Sequence, residues 1–321
     1  MTEIQRGSAR LRALVGYALI VCAAVSWGTW PWIFSVVYGP GEPPIPRELG
    51  TLVIMATVTF APLPLLVRDR ARAHRTARDW LFVVWLGVAD AANVALFFGA
   101  YARTTVAIAV LTHSLAPLFV ALVSPFLLGE APRLRTFAAV LVALAGLLVV
   151  LAPWRDALRP GDVTGALFGA GSAVFYASNV VVSKRLAGKF SATELMVYHG
   201  LVALPCLALL VPHGAFAHVP LTPVAKLVLA GLGPGALAGL AFTWGLRRVP
   251  ATHAATLALL EPVCAVVLGV LVLGQALAGT GVLGVAMVVG AAVVVLASPP
   301  DQRVPESRSS SPSSSQTPRQ S

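Results

Sequence analysis

Long apolar runs alternate with short polar connections along almost the whole chain. Ten runs of about 20 residues can be read, at 13–37, 48–67, 80–100, 106–128, 136–153, 163–183, 193–212, 223–245, 251–273 and 279–298. A helix rises about 1.5 Å per residue, so a run of this length crosses the hydrocarbon core of a bilayer. The connections are too short to form a separate domain. The pattern therefore predicts an all-α integral membrane protein with ten transmembrane helices.

Composition supports the same class of protein. Of the 321 residues, 57% are hydrophobic and only 11% are charged, with a mean hydropathy of +0.83. A water-soluble domain usually carries about 25% charged residues, because its surface must be hydrated. A lipid-facing surface has no such requirement. The three cysteines, Cys22, Cys206 and Cys264, fall inside predicted helices without metal-ligand spacing, and we predict neither a metal site nor a cofactor.

The net charge of +10 reflects membrane topology, and we expect no nucleic-acid partner. With the amino terminus in the cytoplasm, ten helices place both termini there. The cytoplasmic segments then hold 18 of the 23 basic residues, and the other side keeps Arg47, Arg103, Arg155, Arg159 and Lys226. This asymmetry follows the positive-inside rule. It predicts a multi-pass protein of the cell membrane with both termini cytoplasmic.

The chain contains an internal repeat. Residues 101–153 align without gaps on 246–298, and the coinciding pairs are Arg103/Arg248, Leu115/Leu260, Pro117/Pro262, Leu128/Leu273 and Gly129/Gly274. The unit recurs after five helices, an odd number, so the two copies face opposite sides of the membrane. Inverted repeats are typical of secondary transporters, whose solute site lies near the midplane between the halves.

These residues also resemble a known family. Pro117 with the segment 127–130 (LLGE), and Glu261-Pro262 with Leu273-Gly274, are similar to the EamA repeats of the drug/metabolite transporter superfamily. The segment 26–28 (SWG) fits the start of the first repeat, and 166–186, with Tyr176 and Asn179, fits the second. The resemblance implies two inverted five-helix repeats, at 13–153 and 163–298, and transport of small metabolites, commonly outward. One departure is Gln275, where the family has an acid matching Glu130.

Polar side chains at membrane depth are candidates for a solute or proton pathway. Asp90 lies about ten residues into the third helix, near the bilayer midplane, and Asn93 follows on the same face. An ionisable group there costs at least about 2.5–3.5 kcal/mol, so we expect a function for Asp90. Glu261 has a similar depth in the ninth helix and either contacts solute or satisfies backbone groups freed by Pro262.

The remaining candidates have two interpretations each. His113 is a solute contact or proton relay, or else a hydrogen-bonded packing histidine. Trp27, Tyr176 and Trp244 either line a cavity or face lipid and neighbouring helices. Asn179 follows Tyr176 by about one turn and belongs to the same candidate pathway. His199 and His253 are explained by positions close to the cytoplasmic interface. The Ser/Pro-rich tail at 299–321 is predicted to be disordered.

The chain lacks the motifs HExxH, GxSxG and the Walker loop, so we predict no enzymatic activity and no direct use of ATP. The leading hypothesis is a secondary transporter that exports a small metabolite, such as an amino acid or amine, with or without exchange for protons. The alternative is a protein of the same fold that does not carry solute, such as a lipid flippase or a sensor. Both a monomer and a homodimer remain open.

Overall fold

A computed structural model describes residues 3–69, 71, 73–155, 157, 159–217, 219–274, 279–298 and 302–303. In this part of the chain, nine spans are long and apolar enough to cross a membrane, and the shorter apolar helix Ala192–Ala208 lies between the sixth and the seventh of them. Numbered along the chain, spans 1 to 10 are Arg10–Val37, Arg47–Leu66, Ala77–Tyr101, Val106–Leu127, Leu134–Arg155, Asp162–Gly188, Ala192–Ala208, Leu221–Leu246, Ala251–Val272 and Gly279–Ala297. The predicted ten-helix fold is confirmed.

Several spans consist of more than one helix. The α-helices are Glu3–Trp27, Trp30–Val37, Arg47–Phe60, Leu63–Leu66, Ala77–Tyr101, Val106–His113, Ala116–Leu127, Leu134–Leu151, Asp162–Arg185, Ala192–Ala208, Leu221–Ala230, Ala238–Leu246, Ala251–Ala258, Leu260–Leu273 and Gly279–Ala297. A π-helix occupies Gly231–Leu237, and 3-10 turns occupy Pro153–Arg155 and Leu186–Gly188.

Spans 4 and 9 are each interrupted, and the two interruptions lie at equivalent positions of the internal repeat. The helix Val106–His113 ends before a second helix that begins at Ala116, and Ala251–Ala258 ends before one that begins at Leu260. Pro117 and Pro262 lie in the first turns of the second helices, where a missing N–H costs least. Each proline thus divides a membrane-spanning helix near its middle, as happens in many secondary transporters.

Helix packing follows the inverted symmetry. Exchanging the two halves turns span 3 into span 8 and span 6 into span 1, and the structure packs both span 3 on span 6 and span 8 on span 1. Spans 5 and 10, spans 4 and 9, and spans 2 and 7 pack as pairs across the same pseudo-two-fold relation. The two halves are therefore interleaved rather than side by side.

The start of span 1 and residues 302–303 lie on one side, which we call the amino-terminal side. There, Gln302–Arg303 forms a two-residue antiparallel pair with Glu130–Ala131, which lies between spans 4 and 5. The predicted disorder of the tail does not extend to these two residues. The rest of 299–321, and Gln275, lie outside the described residues.

Ionic contacts between the halves close the amino-terminal side. Arg75, before span 3, donates to both carboxylate oxygens of Glu194 at 2.7 Å, and the Glu194 side chain is only 1% exposed. The Lys184 ammonium, at the end of span 6, lies 3.6 Å from Glu130 and donates to the carbonyl oxygen of Leu246. Because removing one member of such a buried pair leaves an unpaired charge, these contacts hold the halves together on this side.

On the opposite side, the ion pair that the described residues form is more exposed. The Lys226 ammonium lies 2.6 Å from a Glu42 carboxylate oxygen, but both side chains are about a quarter to a third exposed (30% and 26%). The Thr104 hydroxyl donates to Asp162 at 2.6 Å. Exposed ion pairs contribute less than buried ones, so the buried Thr104–Asp162 contact is the stronger link on this side.

The outer surface is apolar, as a bilayer requires. Phe126 and Leu134 are 86% and 83% exposed, and many leucine and valine side chains of the spans point outward in the same way. Inside, small residues let helices approach closely. A methyl group on Gly284 of span 10 would lie 2.5 Å from the carbonyl oxygen of Gly146 of span 5, which is closer than real contacts allow.

This contact predicts a difference between two glycines of one helix. Gly284→Ala should lower the apparent melting temperature, since the new methyl must push spans 5 and 10 apart at a cost of about 1–3 kcal/mol. The matched control is Gly290→Ala, because a methyl there meets nothing within 4 Å. Both changes raise helix propensity equally. Thermal unfolding in detergent compares the variants, and equal melting temperatures would contradict the packing described here.

Candidate solute and proton pathway

Asp90 lies at the middle of span 3 and faces residues of the second half of the protein. Its Oδ1 accepts from Asn179 Nδ2 of span 6 at 3.4 Å, and its Oδ2 lies 3.8 Å from His199 Nε2 of span 7. The side chains of both Asp90 and His199 are 22% exposed. The carboxyl group is therefore partnered by polar groups and only partly exposed.

The sequence pattern did not point to His199. It is the eighth residue of the short span 7, about 10 Å from its start. From the sequence, a position near the cytoplasmic interface explains a histidine there without any function. In the structure, its Nδ1 lies 2.5 Å from the carbonyl oxygen of Leu195, which only accepts hydrogen bonds. The Nδ1 therefore carries a proton, and the free Nε2 faces Asp90. Its presence as an ionisable group in a predicted helix was the signal that could have identified it.

Span 6 presents a polar stripe to span 3. Ser172, Tyr176 and Asn179 are spaced by four and three residues, so they share one helix face. The Ser172 hydroxyl donates to Asn93 Oδ1 at 3.2 Å, and Asn179 reaches Asp90 one turn away. The polar faces of spans 3 and 6 therefore lie against each other, with Ser172 beside Asn93 and Asn179 beside Asp90.

His113 extends this network to span 4. Its Nδ1 lies 2.5 Å from the Ser172 hydroxyl oxygen, whose own hydrogen points to Asn93. The consistent assignment is that the His113 Nδ1–H donates to Ser172. The His113 ring also lies against Phe97 and Tyr176, with centroid distances of 4.5 and 5.5 Å. His113, Ser172 and Asn93 thus form a hydrogen-bonded chain beside Asp90.

Glu261 stands in the first turn of the second helix of span 9, next to the interruption. Span 1 approaches the same turn. A methyl group on Gly28 would lie 2.9 Å from the Glu261 carbonyl oxygen, so this glycine permits the approach. The two acidic residues therefore come from different halves, Asp90 from span 3 and Glu261 from span 9.

Trp27 and Trp244 form contacts of their own. Trp27, at the end of a helix in span 1, packs against Phe242 of span 8 with ring centroids 5.1 Å apart. Trp244 lines a separate cavity of about 340 Å³ on the amino-terminal side, together with Asp69, Arg247 and Arg248.

His253 is not explained by an interfacial position. It is completely buried, its Nδ1 lies 2.7 Å from the Tyr17 hydroxyl, and its Nε2 lies 3.3 Å from the Thr136 hydroxyl. These bonds join spans 1, 5 and 9. His253 is therefore a buried polar contact between the two halves.

Ten helices in two inverted halves, with discontinuous helices and a polar group at mid-depth between the halves, define the architecture of a secondary transporter. The sequence profile of the EamA-like transporter family matches residues 14–152 and 163–297. The chain belongs to this family, within the drug/metabolite transporter superfamily. The resemblance of the repeats is confirmed.

Relatives share nearly the whole length. An uncharacterized transporter of Archaeoglobus fulgidus is 31% identical over 282 residues, which cover 87% of this chain and 95% of the relative. The threonine/homoserine exporter RhtA of Salmonella typhimurium is 26% identical over 269 residues, covering 81% and 83%. A crystal structure that is 23% identical, covering 89% of this chain and 98% of the other, superposes with a TM-score of 0.72 and has the same fold.

The His113–Ser172–Asn93 chain predicts an effect of removing its central hydroxyl. Ser172→Ala would leave two polar atoms without their partner at a fully buried position, and we expect a loss of about 1–3 kcal/mol in stability. The control is Ser35→Ala, since the exposed Ser35 bonds only to a carbonyl of its own helix. Thermal unfolding in detergent measures both, and an unchanged Ser172→Ala would mean that the chain contributes nothing.

Proposed function

We propose that this protein is a secondary transporter that exports a small amino-containing metabolite by alternating access, in exchange for protons. The observation that carries the proposal is the position of Asp90, a carboxyl group from the first half that contacts Asn179 and His199 of the second half at mid-depth. A site between inverted halves is exposed to each side in turn when the halves rock.

The solute class follows from the charges at the centre. Asp90 and Glu261 are both acidic, and the neighbouring polar groups, Asn93, Asn179 and Tyr176, both donate and accept hydrogen bonds. A cationic or zwitterionic solute would find a partner for its ammonium group there. The similarity to RhtA, which is named as an exporter of threonine and homoserine, supports the same class.

The two sides of the protein suggest how the cycle proceeds. The Arg75–Glu194 pair and the contacts of Lys184 hold the amino-terminal side closed. We infer that these ionic contacts separate when the site opens to that side. The interrupted spans 4 and 9, paired across the symmetry axis, provide the positions at which the helices bend.

In this mechanism Asp90 gives up its proton to the cytoplasm when solute binds on that side, and it binds a proton from the outer side when solute leaves there. A low-dielectric surrounding favours the neutral form of a carboxyl group, while access of water favours the charged form. The alternation of wet and dry states therefore drives loading and unloading.

The role of Asp90 predicts a loss of proton coupling. In proteoliposomes with an imposed pH gradient, Asp90→Asn should abolish the acceleration of threonine or amine transport by the gradient, because an amide cannot carry a proton. The exposed Glu48→Gln serves as the matched control. If Asp90→Asn transports as fast and with the same pH response, the proton-carrier role is wrong. If the parent protein moves no solute in a saturable way, a flippase or sensor is favoured instead.

The distribution of basic residues predicts the orientation. We propose that the protein lies in the cell membrane with its amino-terminal side facing the cytoplasm. Reporter proteins fused to either end should both report a cytoplasmic location, and a cysteine at the exposed His213 should react with an impermeant reagent from outside. Reaction only after permeabilisation would reverse the orientation, and ends on opposite sides would require an odd number of crossings.

A further inference from the structure

His199 is a second ionisable group at the centre, and it faces Asp90 from the other half of the protein. Span 3, which carries Asp90, belongs to the first repeat, and span 7, which carries His199, belongs to the second. The His199 Nε2 and the Asp90 Oδ2 are 3.8 Å apart, close enough to share a proton after a small movement of either side chain.

The hydrogen bond from Nδ1–H to the Leu195 carbonyl fixes the imidazole tautomer. In the neutral imidazole, Nε2 then has a lone pair and no hydrogen. It accepts a proton but donates none, so the ionised Asp90 and the neutral His199 present only acceptors to each other. One added proton between them converts this repulsive contact into a hydrogen-bonded pair without net charge.

We propose that Asp90 and His199 bind one proton as a unit across the interface between the two halves. The proposal rests on the proposed function and adds His199 to the proton site of Asp90. The bound proton lies between His199 Nε2 and Asp90 Oδ2, and the pair that it completes carries no net charge. Rocking of the halves would separate the members, so release of the proton accompanies the conformational change.

Asn179 accommodates both states of the pair. Its Nδ2 donates to Asp90 Oδ1, while its own Oδ1 is buried and has no hydrogen-bond partner among the described residues. An amide presents a donor in one orientation and an acceptor in the other. In the present orientation, the Asn179 amide N–H donates to the ionised carboxylate. After a flip of the amide, its oxygen would accept a hydrogen bond from a protonated carboxyl group.

Other titratable groups surround the pair from the neighbouring helices. Tyr176 lies on span 6 and Glu261 on span 9, while His113 of span 4 is bound to Ser172. Among the described residues, His199 is the one basic group that pairs with Asp90. The test must therefore separate the signals of Asp90 and His199 from those of these groups.

Infrared titration of the purified protein in lipid nanodiscs tests the pair without solute or gradient. The carboxylic-acid C=O band of Asp90 is identified by its loss in Asp90→Asn. In His199→Gln, this band should appear at a pH at least about one unit higher than in the parent, because the adjacent positive charge is missing. The control is His213→Gln, which changes an exposed histidine far from the site and should leave the midpoint unchanged.

Nitrogen-15 NMR of labelled histidines measures the effect of Asp90 on His199. This measurement does not need the His199→Gln variant, so it remains possible if that variant does not fold. In Asp90→Asn, the imidazolium signal of His199 should appear at a pH lower than in the parent by a similar amount, since the coupling of two sites is mutual. Independent titration of the two groups, or a shift in the opposite sense, would overturn the shared site. Failure of transport with an intact coupled titration would instead remove the proposed function and leave the proton pair.

Discussion

The central constraint on this protein is that hydrocarbon offers no hydrogen bonds. Each polar group at membrane depth must find its partner within the protein. Backbone groups meet this requirement through helices, and the few polar side chains meet it through contacts between helices. The His113–Ser172–Asn93 chain and the His253 contacts with Tyr17 and Thr136 are such solutions. Breaking these hydrogen bonds would leave buried polar groups unpaired. This cost in free energy favours the observed packing of spans 3, 4 and 6.

The scaffold is symmetric, but the chemistry placed on it is not. The shift of 145 residues carries Asp90 to Gly235, Asn93 to Ala238 and His113 to Ala258, and it carries Glu261 back to Ala116. Each half thus contributes acidic or polar groups at positions where the other half is small or apolar. Gly235 lies in the π-helix of span 8 and packs closely on Val58 of span 2. The repeated positions are those at which helices bend and pack closely. The polar residues at the centre differ between the two halves.

The proposed exchange of solute and proton depends on this difference between the two halves. With Asp90 on one half and His199 and Asn179 on the other, the contacts around the carboxyl group change when the halves move. The ionic contacts of Arg75 and Lys184 connect the same two halves at the amino-terminal side. In the proposed mechanism, opening that side and altering the surroundings of Asp90 are parts of one rigid-body movement.

The sequence by itself determined the number of spans, their bounds to within a few residues, the inversion of the repeats and the depth of Asp90. These follow from hydropathy and from helical rise, which depend only on positions along the chain. The interruptions beside Pro117 and Pro262 were not predicted, although they too have a local cause, because proline acts on its own helix. Only the tertiary structure decided that His199 faces Asp90, that Ser172 joins His113 to Asn93, and that His253 is buried. Partners across helices depend on the rotation and crossing of each helix, which the packing of all ten spans sets together.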